Sequence, residues 1–234
     1  MNSNNIPNPK ILNRFFKRMF DLFLSILFII ILSPILGIII IALFIFNQRD
    51  IFYFQKRIGY KNEVFGILKF SSMLKNSENL PGGIITVRND PRVTWIGKIL
   101  RITKLNELPQ LFNVLIGEMS FVGPRPLIKK GFDLYPPDVQ SIVYQSKPGI
   151  TGISSIIFRD EERLVTESEL EPFEFYKRYI YPYKGQLEKW YFENKSFAVD
   201  FLILFLTGIK IIAPGSKLEF KIFPSLPRSD YFKF

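Results

Sequence analysis

The longest uncharged run of the sequence, residues 22–46, reads LFLSILFIIILSPILGIIIIALFIF and decides the class of fold. A straight helix of this length would measure about 37 Å, enough to cross a hydrocarbon core of about 30 Å. The charged stretch before the run is long and no small-residue cleavage site follows it, so the pattern does not match a signal peptide. We therefore expect a membrane-bound protein.

The run is interrupted at Ser33 and Pro34. Proline removes a backbone donor and clashes with the preceding turn, so two half-helices that meet at this break are predicted. Basic residues flank both ends and give no orientation signal. They are Lys10, Arg14, Lys17 and Arg18 on one side and Arg49, Lys56, Arg57 and Lys61 on the other. The pattern favours a re-entrant hairpin with both ends in the cytoplasm, and a single kinked span is the alternative.

Composition limits the chemistry that the chain can carry. The 234 residues have room for one domain beside the membrane segment. The absence of cysteine and histidine excludes disulfides, thiolate nucleophiles, zinc–thiolate sites and the commonest general base. The net charge of +10 favours an anionic partner: nucleic acid, acidic lipid or a phosphorylated substrate. Catalysis must rest on carboxylates, amides, hydroxyls, lysine and arginine, with or without a hard cation held by oxygen ligands.

Local patterns predict an α+β domain that is mainly helical and carries one small β-hairpin. Two runs rich in Phe, Tyr, Val and Ile between residues 52 and 70 flank a turn that begins at Gly59, which predicts the hairpin. We divide the chain into a basic N-terminal segment, a re-entrant membrane helix, a domain at the cytoplasmic face and a basic aromatic tail: 1–19, 20–46, 47–214 and 215–234.

Two helices are predicted in the middle of this domain. The first has Asp90 as its N-cap, the following proline at its first position, and ends at about Arg101. The second begins near Asn106-Glu107 and ends at Gly117.

Two later segments have an apolar character without the length of a membrane span. Residues 201–209 are apolar at helical spacing and predict either a core helix or one lying at the membrane interface. The tail from residue 215 alternates basic and aromatic residues, which suits an anionic lipid surface and suits a disordered terminus equally.

Three positions suggest an anion-binding site. Asn106-Glu107 opens a predicted helix, whose N-terminus carries a partial positive charge and free N–H groups. Arg125 lies between two prolines, which restrict its backbone and hold its guanidinium ready for bidentate contact with phosphate. Together with Arg101, these residues would suit the two phosphates of a nucleotide sugar, with a divalent cation bridging them to Glu107. The alternative is that Asn106 is only an N-cap and that Glu107 only complements the helix dipole.

Longer motifs surround these positions. They are Phe54-Gln55-Lys56-Arg57-Ile58-Gly59, Lys69-Phe70, Asp90-Pro91-Arg92-Val93-Thr94, Glu107-Leu108-Pro109-Gln110, Val122-Gly123-Pro124-Arg125-Pro126 and Lys147-Pro148-Gly149-Ile150-Thr151-Gly152. The set closely resembles the bacterial sugar transferase family, the monotopic phosphoglycosyl transferases that start glycan assembly on a polyprenyl-phosphate carrier. The resemblance covers most of residues 15–214, and the Ser33-Pro34 break is similar to the family's re-entrant helix.

This resemblance implies a two-step exchange at the cytoplasmic face of the bacterial inner membrane. A carboxylate attacks the sugar-linked phosphate of a UDP-sugar and UMP leaves; polyprenyl phosphate then attacks the phosphosugar-enzyme, giving a polyprenyl-diphosphate sugar. It also implies Mg²⁺ as the cofactor with Glu107 as its ligand; the anionic membrane lipid expected as a partner rests on the net charge and on the basic aromatic tail. Substrate contacts are implied for Lys69, Arg101, Arg125 and Arg159.

The candidate catalytic pair, Asn106 and Glu107, departs from the family pattern, which has an Asp-Glu pair with Asp as the nucleophile. A neutral amide attacks phosphorus far less readily than a carboxylate does. Three interpretations stay open: Glu107 or a direct transfer between bound substrates replaces the covalent step, activity has been lost, or Asp was replaced deliberately to trap a complex. A second departure is Ser71, where the family usually has Arg, which puts one phosphate contact in doubt.

Two other functions compete with an enzyme. A catalytically silent nucleotide-sugar-binding or scaffold protein would keep the basic residues and lack turnover. A nucleic-acid binder is suggested only by the net charge, and its basic residues are spread along the chain without the stacking aromatics of an RNA module. We therefore expect no nucleic-acid partner. A homo-oligomer is compatible with the sequence. The residues do not identify the sugar that is transferred or the glycan that is built.

Overall fold

The computed structural model describes residues 9–47, 49–77 and 89–232. Its first element is helix α1, Pro9–Phe46, within which Asn13–Phe46 is long and apolar enough to cross a membrane. Pro34 lies inside α1, which is helical on both sides of it, so the predicted break does not separate α1 into two elements. One proline removes a single backbone hydrogen bond, and the apolar residues on both sides keep the others. The Ser33 hydroxyl donates to the carbonyl of Ile30, 2.8 Å away, in the turn before the proline.

Both ends of α1 are attached to the same domain. Near its start, Arg18 donates to the carbonyls of Val114 and Leu115, at 2.6 and 2.8 Å, and Asp21 accepts from the Phe121 N–H at 3.0 Å. Towards its end, three residues are buried in a cluster with the domain: Leu36, Ile39 and Leu43. Between and beside these anchors, large apolar side chains face outward, namely Ile26, Ile30, Ile31, Ile35, Ile38, Ile41 and Ile45.

The predicted hairpin is confirmed. Strands β1, Phe52–Ile58, and β2, Val64–Phe70, pair antiparallel, and Phe52 lies opposite Phe70. A 3-10 turn, Tyr60–Asn62, joins them.

Helix α2, Trp95–Ile102, begins later than predicted. Thr94 is its N-cap and accepts a hydrogen bond from the Gly97 N–H at 3.0 Å. The prediction of Asp90 as the cap was wrong, because its carboxylate accepts instead from the backbone N–H and the guanidinium of Arg92. This local turn competes with helix initiation, as Asp side chains commonly do.

The second predicted helix also starts later, although its end is confirmed. Asn106 and Glu107 lie on a 3-10 turn, Leu105–Glu107, and helix α3, Gln110–Ile116, follows. Lys104 precedes the turn with a φ of 60°, which separates it from α2. Gly117 ends α3 with a φ of 94°, a left-handed conformation that glycine adopts without strain.

The remaining elements complete a mainly helical domain. Strand β3, Ser120–Val122, pairs parallel with β4, Gly149–Thr151. The helices are α4, Lys129–Phe132; α5, Pro137–Ile142; α6, Ile153–Ile157; α7, Glu161–Thr166; α8, Pro172–Phe175; α9, Tyr181–Asn194; α10, Phe197–Ile212; and α11, Glu219–Ile222. A 3-10 turn, Val143–Gln145, follows α5, and a π-helical turn, Tyr176–Ile180, joins α8 to α9.

Helix α10 is a core helix, as one of the two predictions held, and its outer face is compatible with the other, a position at the membrane interface. Ile203 and Leu206 are buried in the main core, whereas Phe201 and Phe205 are exposed on the opposite face. The tail is ordered against the domain as far as residue 232, contrary to the disordered alternative. Its residues Phe223, Leu226 and Phe232 are buried in the same core, so those apolar side chains are not presented to lipid.

Candidate active site

An open cleft of about 2620 Å³ lies between the hairpin, the α2–α3 segment and the α6–α7 segment. Its lining includes every substrate-binding residue predicted from the sequence: Lys69, Arg101, Arg125 and Arg159. Asn106 and Glu107 line it as well. Two side chains of α1, Phe28 and Leu32, also reach the cleft, so the apolar helix borders the polar site.

Glu107 forms the centre of an ion-pair cluster at one wall of this cleft. Its Oε1 accepts from the Arg125 guanidinium at 2.7 Å and lies 3.2 Å from the Lys69 ammonium. Strand β2 supplies Lys69, the 3-10 turn supplies Glu107, and the loop after β3 supplies Arg125. The juxtaposition of Glu107 and Arg125 predicted from sequence is confirmed.

The cluster strongly favours the ionised form of Glu107. Burial alone would raise the pKa of this carboxyl, but Arg125 and Lys69 outweigh it and hold the pKa well below the ordinary value. Burial lowers the pKa of Lys69 to about 8, with Glu107 opposing that shift. Lys69 therefore loses its charge at a lower pH than an exposed lysine does.

Two further cations belong to this cluster. Burial followed by the nearby charge of Arg125 lowers the pKa of Arg57 to about 10, and the same two causes lower the pKa of Lys104. Arg57 also donates to the carbonyl of Pro126 at 3.2 Å. Four cations thus surround Glu107. The carboxylates of Glu161 and Glu162 also act on Arg125 and Lys104, but they are already paired with Lys184 and Arg101, so positive charge stays in excess. Arg57 was not assigned to the site from the sequence, although it lies in one of the quoted motifs.

Asn106 sits beside this cluster with an unused acceptor. The residue is only 8% exposed, and among the described residues no donor reaches its Oδ1. A buried amide oxygen without a partner costs free energy on the order of 1–3 kcal/mol. Asn106 therefore does not act as the simple N-cap that the sequence allowed, and its oxygen is free to accept from a ligand in the cleft.

The other predicted cations lie apart from Glu107. Arg101 pairs with Glu162 rather than with Glu107. Arg159 has no hydrogen bond or ion pair within the described residues. A further ion pair of this cleft, between Glu161 and Lys184 at 2.7 Å, was not predicted. The cleft therefore has an ion-pair cluster at one wall and separate charged groups at another.

Ser71 stands at the position where the family usually has arginine, and its side chain makes a contact within the domain instead. Its hydroxyl donates to the carboxylate of Asp50 at 2.7 Å and is buried. Within residues 9–47, 49–77 and 89–232, no group of three acidic side chains is arranged to hold a metal ion. Any divalent ion at Glu107 would need most of its oxygen ligands from a substrate or from water.

Comparison with known proteins identifies the family. A profile of the bacterial sugar transferase family matches residues 12–214. The undecaprenyl-phosphate galactose phosphotransferase of Salmonella typhimurium is 34% identical over 213 residues, which are 84% of this chain and 40% of that protein. The UDP-glucose:undecaprenyl-phosphate glucose-1-phosphate transferase of Klebsiella pneumoniae is 36% identical over 204 residues, 85% of this chain and 40% of that protein.

A shorter relative matches along most of its length. The exopolysaccharide production protein ExoY of Sinorhizobium fredii is 31% identical over 205 residues, which are 82% of this chain and 83% of that protein. This chain thus spans less than half of the two longer relatives and most of ExoY. The match of the family profile, together with the Glu107 cluster, leads to one conclusion: the chain belongs to the bacterial sugar transferase family.

Proposed function

We propose that this protein transfers a phosphosugar from a UDP-sugar to polyprenyl phosphate, giving a polyprenyl-diphosphate sugar and UMP. The observation that carries the proposal is the excess of cations around Glu107. Arg57, Lys69, Lys104 and Arg125 surround it, and the next carboxylates, Glu161 and Glu162, have cation partners of their own. An uncompensated cluster of this kind attracts a polyanion, and a diphosphate supplies two or more negative charges. The names of the relatives include both a UDP-sugar and undecaprenyl phosphate.

The second substrate is supported by the position of α1. Phe28 and Leu32 place an apolar surface at the edge of the charged cleft, and the exposed isoleucines of α1 continue it. A polyprenyl chain is compatible with that surface while its phosphate enters the cleft. This arrangement fits a reaction at the cytoplasmic face of the bacterial inner membrane.

The transfer exchanges one phosphorus–oxygen bond for another. The bond between the sugar-linked phosphorus and the UMP oxygen breaks, UMP keeps the electron pair, and an oxygen of polyprenyl phosphate forms the new bond. Arg125 and Lys69 hold the diphosphate and offset the negative charge that develops on the leaving oxygen. With an amide at position 106, we propose direct transfer between the two bound substrates.

Magnesium fits this site only together with the donor. Glu107 Oε1 is taken by two cations, so the carboxylate can offer its other oxygen to Mg²⁺, with phosphate oxygens and water as the remaining ligands. When bound, the ion would neutralise phosphate charge and polarise the phosphoryl group. The surrounding cations repel a free dication, so calorimetry should show Mg²⁺ binding in the presence of a UDP-sugar and none in its absence.

The competing function is nucleotide-sugar binding without turnover. The neutral amide of Asn106, which attacks phosphorus poorly, favours this function. An assay of the unaltered chain with a panel of UDP-sugars and polyprenyl phosphate separates the two functions. UMP release together with a lipid-linked product is expected. Donor binding by calorimetry without any UMP would instead support the silent protein.

Donor binding should weaken at alkaline pH. The pKa of Lys69 is about 8, so its charge is present below that pH and is lost as the pH rises through it. The association constant for a UDP-sugar should therefore fall above pH 8, by up to about tenfold for each pH unit. Titration calorimetry between pH 6.5 and 9.5 measures this, and Lys69→Arg should remove the decline. An unchanged decline in that variant would contradict the assignment to Lys69.

We also propose that α1 is re-entrant rather than membrane-spanning, because residues near both of its ends contact one domain. The chain has no cysteine, so single cysteines can be introduced at two exposed positions, one near the start of α1 and one in β1 beyond its end, as Asn13→Cys and Lys56→Cys. In inside-out membrane vesicles, an impermeant maleimide should label both variants. Labelling of one variant from each side of the membrane would show a span.

A further inference from the structure

The main chain of Arg125 is held by a buried side chain rather than by secondary structure. The Tyr144 hydroxyl donates to the Arg125 carbonyl at 2.8 Å and accepts from the Leu127 N–H at 2.9 Å. It thereby bridges the two residues on either side of Pro126. Tyr144 is 1% exposed, and its ring stacks on Phe132. The packing of the ring thus holds the hydroxyl in place at the base of the loop that carries the Arg125 guanidinium.

From this geometry we infer that Tyr144 is a positioning residue, which holds the Arg125 main chain so that its guanidinium faces the donor diphosphate. The inference rests on the proposed function for its ligand. Tyr144 does not need to touch the substrate. Its effect on binding passes through Arg125, since a shift of the loop would move a guanidinium that lies 2.7 Å from Glu107.

The structure offers a matched control for Tyr144. Tyr135 is buried in the same apolar cluster, and no hydrogen bond to the Arg125 loop is formed by its hydroxyl within the described part of the chain. Tyr144→Phe and Tyr135→Phe therefore remove the same atom from the same core. Only the first variant leaves the Arg125 carbonyl and the Leu127 N–H without their partner.

The test measures binding of UDP-glucose and of UDP-galactose by calorimetry, which requires no turnover. Tyr144→Phe should weaken binding about tenfold and Tyr135→Phe less than twofold. In an Arg125→Ala background, Tyr144→Phe should have no further effect, because the coupling acts through Arg125. Equal weakening by both tyrosine variants, or an effect that persists without Arg125, would overturn the inference.

A ligand-free measurement separates this inference from the proposed function. If the unaltered chain binds no member of the UDP-sugar panel, the proposed function fails, and the positioning role is judged by NMR of the ¹⁵N-arginine-labelled chain in lipid nanodiscs. Solvent exchange of the Arg125 side-chain N–H should be slow in the unaltered chain and in Tyr135→Phe, and faster in Tyr144→Phe. The same exchange rate in all three would overturn the inference.

Discussion

Replacing Asn106 by aspartate should raise UMP release from a UDP-sugar by at least about a hundredfold. The amide attacks phosphorus poorly, whereas a carboxylate at the same place would be a competent nucleophile. The cations around Glu107 would keep that carboxylate ionised, and the unpartnered Oδ1 of Asn106 shows that its oxygen is not engaged elsewhere in the described structure. Initial rates with and without polyprenyl phosphate measure the effect, since a phosphosugar-enzyme would release one equivalent of UMP without the carrier.

A control for the added charge is available in the same cleft. Asn89 is exposed and lines the cleft, so Asn89→Asp adds the same carboxylate away from the Glu107 cluster. Its rate should stay within about twofold of the parent. If Asn106→Asp released no UMP with any UDP-sugar, the proposed reaction would be wrong, even if the donor bound.

Glu107→Gln should lower the rate of phosphosugar transfer by about two to three orders of magnitude, both in the parent and in Asn106→Asp. The change removes the carboxylate oxygen proposed for Mg²⁺ and leaves Arg125 and Lys69 without their shared anion. The same change should preserve or tighten metal-free binding of a UDP-sugar, because one negative charge no longer repels the diphosphate. A loss of transfer together with retained binding would distinguish a role in the reaction from a loss of structure.

Glu193→Gln serves as the matched control for this variant, since Glu193 is exposed on α9 and carries the same charge. It should leave both rate and binding unchanged within about twofold. If Glu107→Gln kept full activity, Glu107 could not be the proposed metal ligand. If it lost metal-free binding as well, the cluster would be supporting the fold of the cleft rather than the reaction.

Sequence predicted the parts of this protein that follow from local rules. The hairpin at residues 52–70 and the end of α3 at Gly117 depend on strand-forming residues and on a left-handed glycine, and both are confirmed. The pairing of Glu107 with Arg125 was anticipated because of the rigid Pro-Arg-Pro loop and the family motifs. These features require no knowledge of distant contacts.

The errors came from competition between side chains and backbone. Asp90 was predicted to cap a helix, but its carboxylate binds Arg92 and the helix begins after Thr94. Asn106-Glu107 was predicted to open a helix, but the two residues lie on a 3-10 turn and α3 begins at Gln110. Each helix therefore starts several residues after its predicted start.

The missed site residues depend on tertiary structure. Arg57 is brought beside Arg125 by the β1–β2 pairing and by its contact with Pro126, and Lys104 by a left-handed turn. Tyr144 acts on Arg125 through its main-chain carbonyl, and no spacing in the sequence indicates such a contact.

The most direct measurement is an experimental structure of the unaltered chain in lipid nanodiscs with a UDP-sugar and Mg²⁺, since an amide at position 106 should slow consumption of the donor. We expect the diphosphate oxygens within hydrogen-bond distance of Arg125 and Lys69, with the ion between them and Glu107. A diphosphate bound elsewhere, with the Glu107 cluster unchanged and empty, would contradict the account.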